Sequence, residues 1–194
     1  MAIDINDTRS LHAPQLVRDA LRNMSKPLAS SEILLLGAAY REDVGDTRYS
    51  GSEIMVRKLT EMGANVRVHD PYLDHWWEFE AQETFPTPGY SASRFFHRQE
   101  ALKDLRIEKD LWAAMKTGVD AIVLAVRHEA YLKLDPDKVF KSVGKPFAIV
   151  DCFCILDDAR IRRYLELGCE VKGMGRGHIK RIKDGISKGR VRSE

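Results

Sequence analysis

A chain of 194 residues, 31% of them charged but with a net charge of only +2, is long enough to bury a core of its own. Its near-balanced charge argues against nucleic acid or a membrane surface as the main partner. Three cysteines, an odd number, point to a reducing compartment rather than a disulfide framework. The opening MAIDINDTRS lacks the basic and apolar regions of a signal peptide, and no apolar run nears the roughly 18 residues that span a bilayer, so a cytoplasmic location is expected.

Residues 1–31 read as a helical appendage and linker. From Pro14 to Met24, Leu16, Val17, Ala20, Leu21 and Met24 recur at helical spacing, and Ser25 to Ser31 is a short connector. The next stretch organises the rest. Ile33 to Leu36 is an apolar run ended by Gly37, the signature of a strand buried on both faces of a parallel sheet. A polar loop follows from Tyr40 to Tyr49. Ser50, three residues before Glu53, gives a capping-box pattern, and Met55, Leu59 and Met62 form one helical face up to Gly63. Strand, loop and helix make the crevice-forming unit of an open α/β sheet. The loop sets Arg41 and Arg48, suited to phosphate, beside Asp43 and Asp46, which can hold them in place. After Gly37 stand Ala38 and Ala39, so the G-x-G-x-x-G dinucleotide fingerprint is absent.

Further on, Val66 and Val68 alternate in a second strand closed by Asp70-Pro71. Asp70 has the place of a ribose-binding acid, but without the glycine-rich turn it reads better as a strand terminator. Over residues 72–107 periodicity dissolves among Trp76, Trp77, Phe79 and Phe85. This is expected to be a long ordered insertion, serving the site, covering a sheet edge or making an oligomer contact. A helix is predicted over Glu108 to Thr117 and a buried strand over Val119 to Val126, with His128 just past its carboxyl end. Asp135-Pro136 opens a helix to Val143. Phe147 to Asp151 and Cys169 to Met174 read as strands around a helix from Asp157 to Leu167. The alternation predicts an α/β fold: a doubly wound, mostly parallel Rossmann-like sheet of about five to six strands, covering residues 32–179. Residues 180–194 are expected to be a frayed basic tail, with nucleic-acid contact unlikely. Cys152-x-Cys154 lacks the spacing of a zinc or redox pair, so no metal is expected.

These residues together resemble the C-terminal, UDP-sugar-binding domain of the UDP-glucose/GDP-mannose dehydrogenase family, over about Ile5 to Ile179. Ile5-Asn6-Asp7 resembles the stretch after the family's central helix. Leu36-Gly37, Tyr40-Arg41 and Asp46-Thr47-Arg48 resemble its L-G-x-x-(F/Y)-K-x-x-x-x-D-x-R signature, with Gly63-Ala64 and Asp70-Pro71 at the expected distances. Ala125 to Tyr131 is similar to the A-V-x-H-x-x-Y of members that handle UDP-N-acetylhexosamine derivatives. The resemblance implies two NAD-dependent oxidations of a nucleotide sugar at C6, in polysaccharide biosynthesis. It implies a UDP- or GDP-sugar at Tyr40, Arg41, His128 and Cys154, with Arg48 facing NAD and Asp46 supporting it. NAD is expected only with an N-terminal domain, which also carries the family's catalytic cysteine. The partner is that half or a second copy, and this chain alone is expected to be inactive. Two departures stand out. Arg41 replaces a lysine, and Asp151 to Asp157 stands where many members have D-x-R-x, with no arginine near Cys152 to Cys154. The second departure leaves open a non-catalytic binding or scaffold protein that keeps the fold.

Overall fold

The computed structural model describes residues 2–81, 99–116 and 118–191. Six parallel strands form one sheet in the order β3-β2-β1-β4-β5-β6: β1 (Glu32–Leu36), β2 (Asn65–His69), β3 (Ile107–Glu108), β4 (Ala121–Leu124), β5 (Ala148–Asp151) and β6 (Glu170–Gly173). The fold is therefore the doubly wound Rossmann-like sheet expected. Its strand order reverses between β1 and β4, which pair in register from Ile33 opposite Ala121 to Leu36 opposite Leu124.

The pleat divides the core in two. Ile33 and Leu35 point to the face covered by α1 (Ala2–Asn23), α2 (Gly51–Glu61) and α3 (Trp77–Glu80). Leu34 and Leu36 point to the opposite face, under α4 (Leu111–Met115), α5 (Glu129–Leu132), α6 (Pro136–Val143), α7 (Asp158–Glu166) and α8 (Ile179–Val191). All four side chains are fully buried, which is why the run carries no polar alternation.

Helix α1 starts well before Pro14, where a sequence reading begins it. Pro14 lies inside the helix and forgoes one backbone hydrogen bond. Ala13, Val17, Ala20 and Leu21 are buried against β4, β5, β6 and α2, and that packing holds the turn together. The predicted helix from Glu108 also begins later. Ile107 and Glu108 pair with β2, and Asp110 caps α4 by accepting from the Trp112 and Ala113 N–H groups. The chain expected to fray forms α8, which seats Ile179 in the core. In the aromatic stretch Trp76 and Phe79 are buried edge to face at 4.6 Å, while Trp77 is exposed. Phe85 lies outside the described residues.

Candidate functional site

Beyond the carboxyl ends of β1, β4 and β5, at the point where the strand order reverses, lies a crevice of about 160 Å³. Open α/β sheets take their ligands at this place. Its lining comes from the β1–α2 connection with Ala39, Tyr40 and Tyr49, the N-terminus of α2, the segment after β4 with Ala125 and Val126, the turn after β5 with Cys152 and Phe153, and Met174 after β6. Helix α1 adds Ser10.

The β1–α2 connection opens at Gly37, whose φ of +101° suits glycine. A Cβ there would lie 2.5 Å from the Val126 Cβ, so β1 and the β4–α5 segment meet closely only because position 37 has no side chain. The loop closes on itself through the Tyr40 N–H to the Asp46 carbonyl at 2.9 Å. Ser50 then caps α2, its hydroxyl oxygen accepting from the Ser52 N–H at 3.1 Å. The capping box is only half formed. Glu53 turns to the buried Arg57 at 2.8 Å, and the Ser50 N–H goes to the Thr47 carbonyl. Arg57 needs that carboxylate because a buried cation without a counter-charge is costly.

The two arginines of the loop are used differently. Arg48 forms a bidentate pair with Asp46, Nε at 3.0 Å and Nη2 at 2.6 Å, yet stays 65% exposed. Arg48's hydrogen bonds lower the Asp46 carboxyl below its ordinary range, and Asp46 raises Arg48 in turn. Arg41 is exposed beside the Tyr40 ring, its guanidinium carbon 5.5 Å from the centroid. No carboxylate pairs with it among the described residues.

His128 and Cys154 part company with those residues. His128 is fully buried behind the loop, with its Nδ1 2.9 Å from the Asp43 N–H and its Nε2 3.1 Å from Asp70 Oδ2. Cys154 is exposed at the tip of the turn after β5, with φ +54°. Asp151 shapes that turn. Its oxygens accept the N–H groups of Phe153, Ile155 and Leu156, and Arg176 reaches in at 2.8 Å. Arg176, from the β6–α8 loop, is a cation that reaches the stretch where the family pattern has an arginine. It is 10% exposed and also donates to the Leu156 carbonyl, so it holds the turn rather than facing the crevice. Phe153 and Tyr49, both exposed on the crevice wall, were not singled out by sequence reasoning. The signal was their place, one before the α2 cap and the other just past a buried strand.

Asp70 rules out an adenosine ribose at β2. It is fully buried, and its oxygens accept the N–H groups of Ala38, Ala39 and Tyr72 and a bond from His128. Burial pushes its pKa upward, but these bonds outweigh burial and hold the carboxyl below its usual range. With no glycine-rich turn and no free acid, the residues of this chain do not fit a dinucleotide at the β1–α2 turn. Among the described residues no group of three or more His, Cys, Asp or Glu is placed to hold a metal ion, and no helix is long and apolar enough to cross a membrane.

Strand order and switch-point crevice define a Rossmann-like binding domain. Its family follows from comparison: the profile of the UDP-glucose/GDP-mannose dehydrogenase family, UDP binding domain, matches residues 34–158, and the chain belongs to that family. UDP-glucose 6-dehydrogenase of Mus musculus is 28% identical over 155 residues, covering 80% of this chain and 29% of the relative. The Drosophila melanogaster enzyme of the same name is 24% identical over 174 residues, 90% of this chain and 34% of the relative. Among solved structures, an NDP-N-acetyl-D-galactosaminuronic acid dehydrogenase from Methanosarcina mazei superposes with a TM-score of 0.69 at 26% identity, covering 89% of this chain and 30% of that one. The chain thus spans about three tenths of the length of these relatives.

Proposed function

We propose that this chain grips the nucleotide-sugar end of a substrate for an NAD-dependent 6-dehydrogenase, in polysaccharide biosynthesis in the cytoplasm. One observation carries the reading: Tyr40, half of the pair matching the family's aromatic–cation positions, is exposed and lines the switch-point crevice, and the neighbouring Arg41 is exposed beside its ring with no carboxylate partner among the described residues. The wall carries the rings of Tyr40, Tyr49 and Phe153 among polar groups, suited to a planar base or a sugar face. The α2 N-terminus and Arg41 supply positive potential for the diphosphate. Cys154 is exposed at the tip of the same turn, next to Phe153 on the crevice wall. Arg48, already oriented by Asp46, presents its remaining N–H groups outward, to the NAD-bearing half of the enzyme.

The test is calorimetric titration of this chain with UDP-glucose, UDP-N-acetylglucosamine and GDP-mannose. Saturable binding of at least one is expected. Absence of heat for all three, with the chain folded, would overturn the reading. It would favour a non-catalytic scaffold, for which the lack of an arginine near Cys154 is the supporting observation.

A further inference from the structure

Tyr49 has a backbone that its side chain does not favour. Its φ is +61°, in the left-handed region where an aromatic residue rarely sits. The ring is 61% exposed, so burial in the core does not offset that strain. Hydrogen bonds hold the turn on both sides of it. Before Tyr49, the Asp46 carbonyl accepts the Tyr40 N–H at 2.9 Å, and the Thr47 hydroxyl donates to Glu78 Oε2 at 2.7 Å. After it, the Ser50 N–H donates to the Thr47 carbonyl at 3.0 Å and the Ser50 hydroxyl to the Ala39 carbonyl at 3.2 Å. Glu78 is the fixed post of this set, because it comes from α3 rather than from the loop. It is buried, as are Trp76 before it and Phe79 after it, and the Arg57 guanidinium of α2 covers the Phe79 ring at 4.8 Å.

Backbone strain persists only where its surroundings over-determine it, and it gathers at ligand-facing positions. We propose that Tyr49 is a ligand-contacting residue of the crevice, stacking on a flat ring of the bound molecule, and that Glu78, through Thr47, is its positioning residue. This rests on the crevice binding a nucleotide sugar. A tyrosine offers its face to a base or to the C–H face of a pyranose, and a nucleotide sugar carries both. Tyr49 and Phe153 line the crevice from separate segments, the β1–α2 connection and the turn after β5, so a ring entering it meets an aromatic side chain on each. The strained turn serves binding because a ring already held in place loses little freedom when the ligand arrives. The aromatic stretch thereby gains a role at the site: its first helix supplies the carboxyl that fixes the turn.

The probes are UDP-glucose, UDP-N-acetylglucosamine and GDP-mannose, with UDP and GDP as sugar-free counterparts, titrated by calorimetry beside a thermal melt. Asparagine takes left-handed backbone more readily than tyrosine. Tyr49→Asn should therefore melt no lower than wild type and yet bind the nucleotide sugar roughly tenfold more weakly, the scale of one lost stacking contact. Tyr49→Phe keeps the ring and should bind like wild type. A loss seen equally with the nucleoside diphosphate puts the Tyr49 ring on the base; a loss confined to the nucleotide sugar puts it on the pyranose. Thr47→Val removes the hydroxyl and should weaken binding roughly threefold, the scale of one hydrogen bond, and Thr47→Ser should bind like wild type. In the Tyr49→Asn chain, Thr47→Val should weaken binding no further, because it acts through Tyr49. An equal Thr47→Val loss in both backgrounds would overturn the positioning role of Glu78, and a Tyr49→Asn chain that melts well below wild type would overturn the strained platform. Absence of wild-type binding to all three nucleotide sugars would sink the binding reading and this inference with it. Wild-type binding undiminished in Tyr49→Asn would sink this inference alone.

Discussion

Arg41 and Glu53 are the residues whose surroundings make the sharpest demands. Arg41 is exposed and holds no carboxylate among the described residues, so its replacement should leave folding nearly untouched. Arg41→Ala is expected to weaken UDP-sugar binding about tenfold, the scale of one charge-assisted hydrogen bond, with Arg41→Lys retaining most of the affinity. Calorimetry beside a thermal melt separates the two effects; an unchanged affinity would remove Arg41 from the site. Glu53 is the reverse case. Burial raises its carboxyl to about 7, against an opposing pull from Arg57. A carboxyl raised in the folded chain contributes stability that is whole below its unfolded value near 4.5 and is lost as pH rises through about 7. The melting temperature should therefore fall across that window, by up to roughly 3 kcal/mol of stability, and Glu53→Gln should flatten the fall. His69, lowered by burial, tilts the profile the other way, so the difference between wild type and Glu53→Gln is the quantity to measure.

Among the elements, the turn after β5 depends on a residue far along the chain. Asp151 is fully buried, held by three backbone N–H groups and by Arg176. Removing one partner of such a pair strands the other, so Arg176→Ala should cost about 3–5 kcal/mol and loosen the turn that presents Phe153. Denaturant unfolding measures the loss; a change under about 1 kcal/mol would mean the turn stands without the pair. No local pattern announces this contact, since Asp151 and Arg176 are on opposite sides of β6. Local signals were legible. The apolar run at Ile33 to Leu36, the Asp135-Pro136 cap and the Asp46–Arg48 pair all read directly, because each involves neighbours in sequence. What failed needed tertiary partners: the extension of α1 through Pro14, the pairing of Ile107 and Glu108 with β2, and the folding of the basic terminus into α8. His128 was legible as a residue at a strand's end, but its two partners come from other loops.

At the scale of the whole molecule, the question is what a binding domain can do by itself. Two successive hydride transfers need a nicotinamide held against the sugar C6, and binding energy elsewhere does not lower that barrier. The β1–α2 turn does not fit a dinucleotide, because the Asp70 oxygens already serve Ala38, Ala39, Tyr72 and His128. The second oxidation also needs a thiolate to hold the aldehyde. Cys152 and Cys169 are buried, and desolvation pushes the Cys169 thiol up to about 11. Cys154 is exposed, but Arg176, the cation that reaches its turn, is committed to Asp151 and the Leu156 carbonyl. This chain with excess NAD and UDP-glucose is therefore expected to form no NADH. Adding a separately expressed NAD-binding half of a family member should allow turnover, and Arg48→Ala should lower it more than it lowers UDP-glucose binding, since Arg48 is exposed and is not among the residues lining the crevice. Steady NADH formation by the chain alone, abolished in Cys154→Ser, would refute this division of labour and make Cys154 the nucleophile.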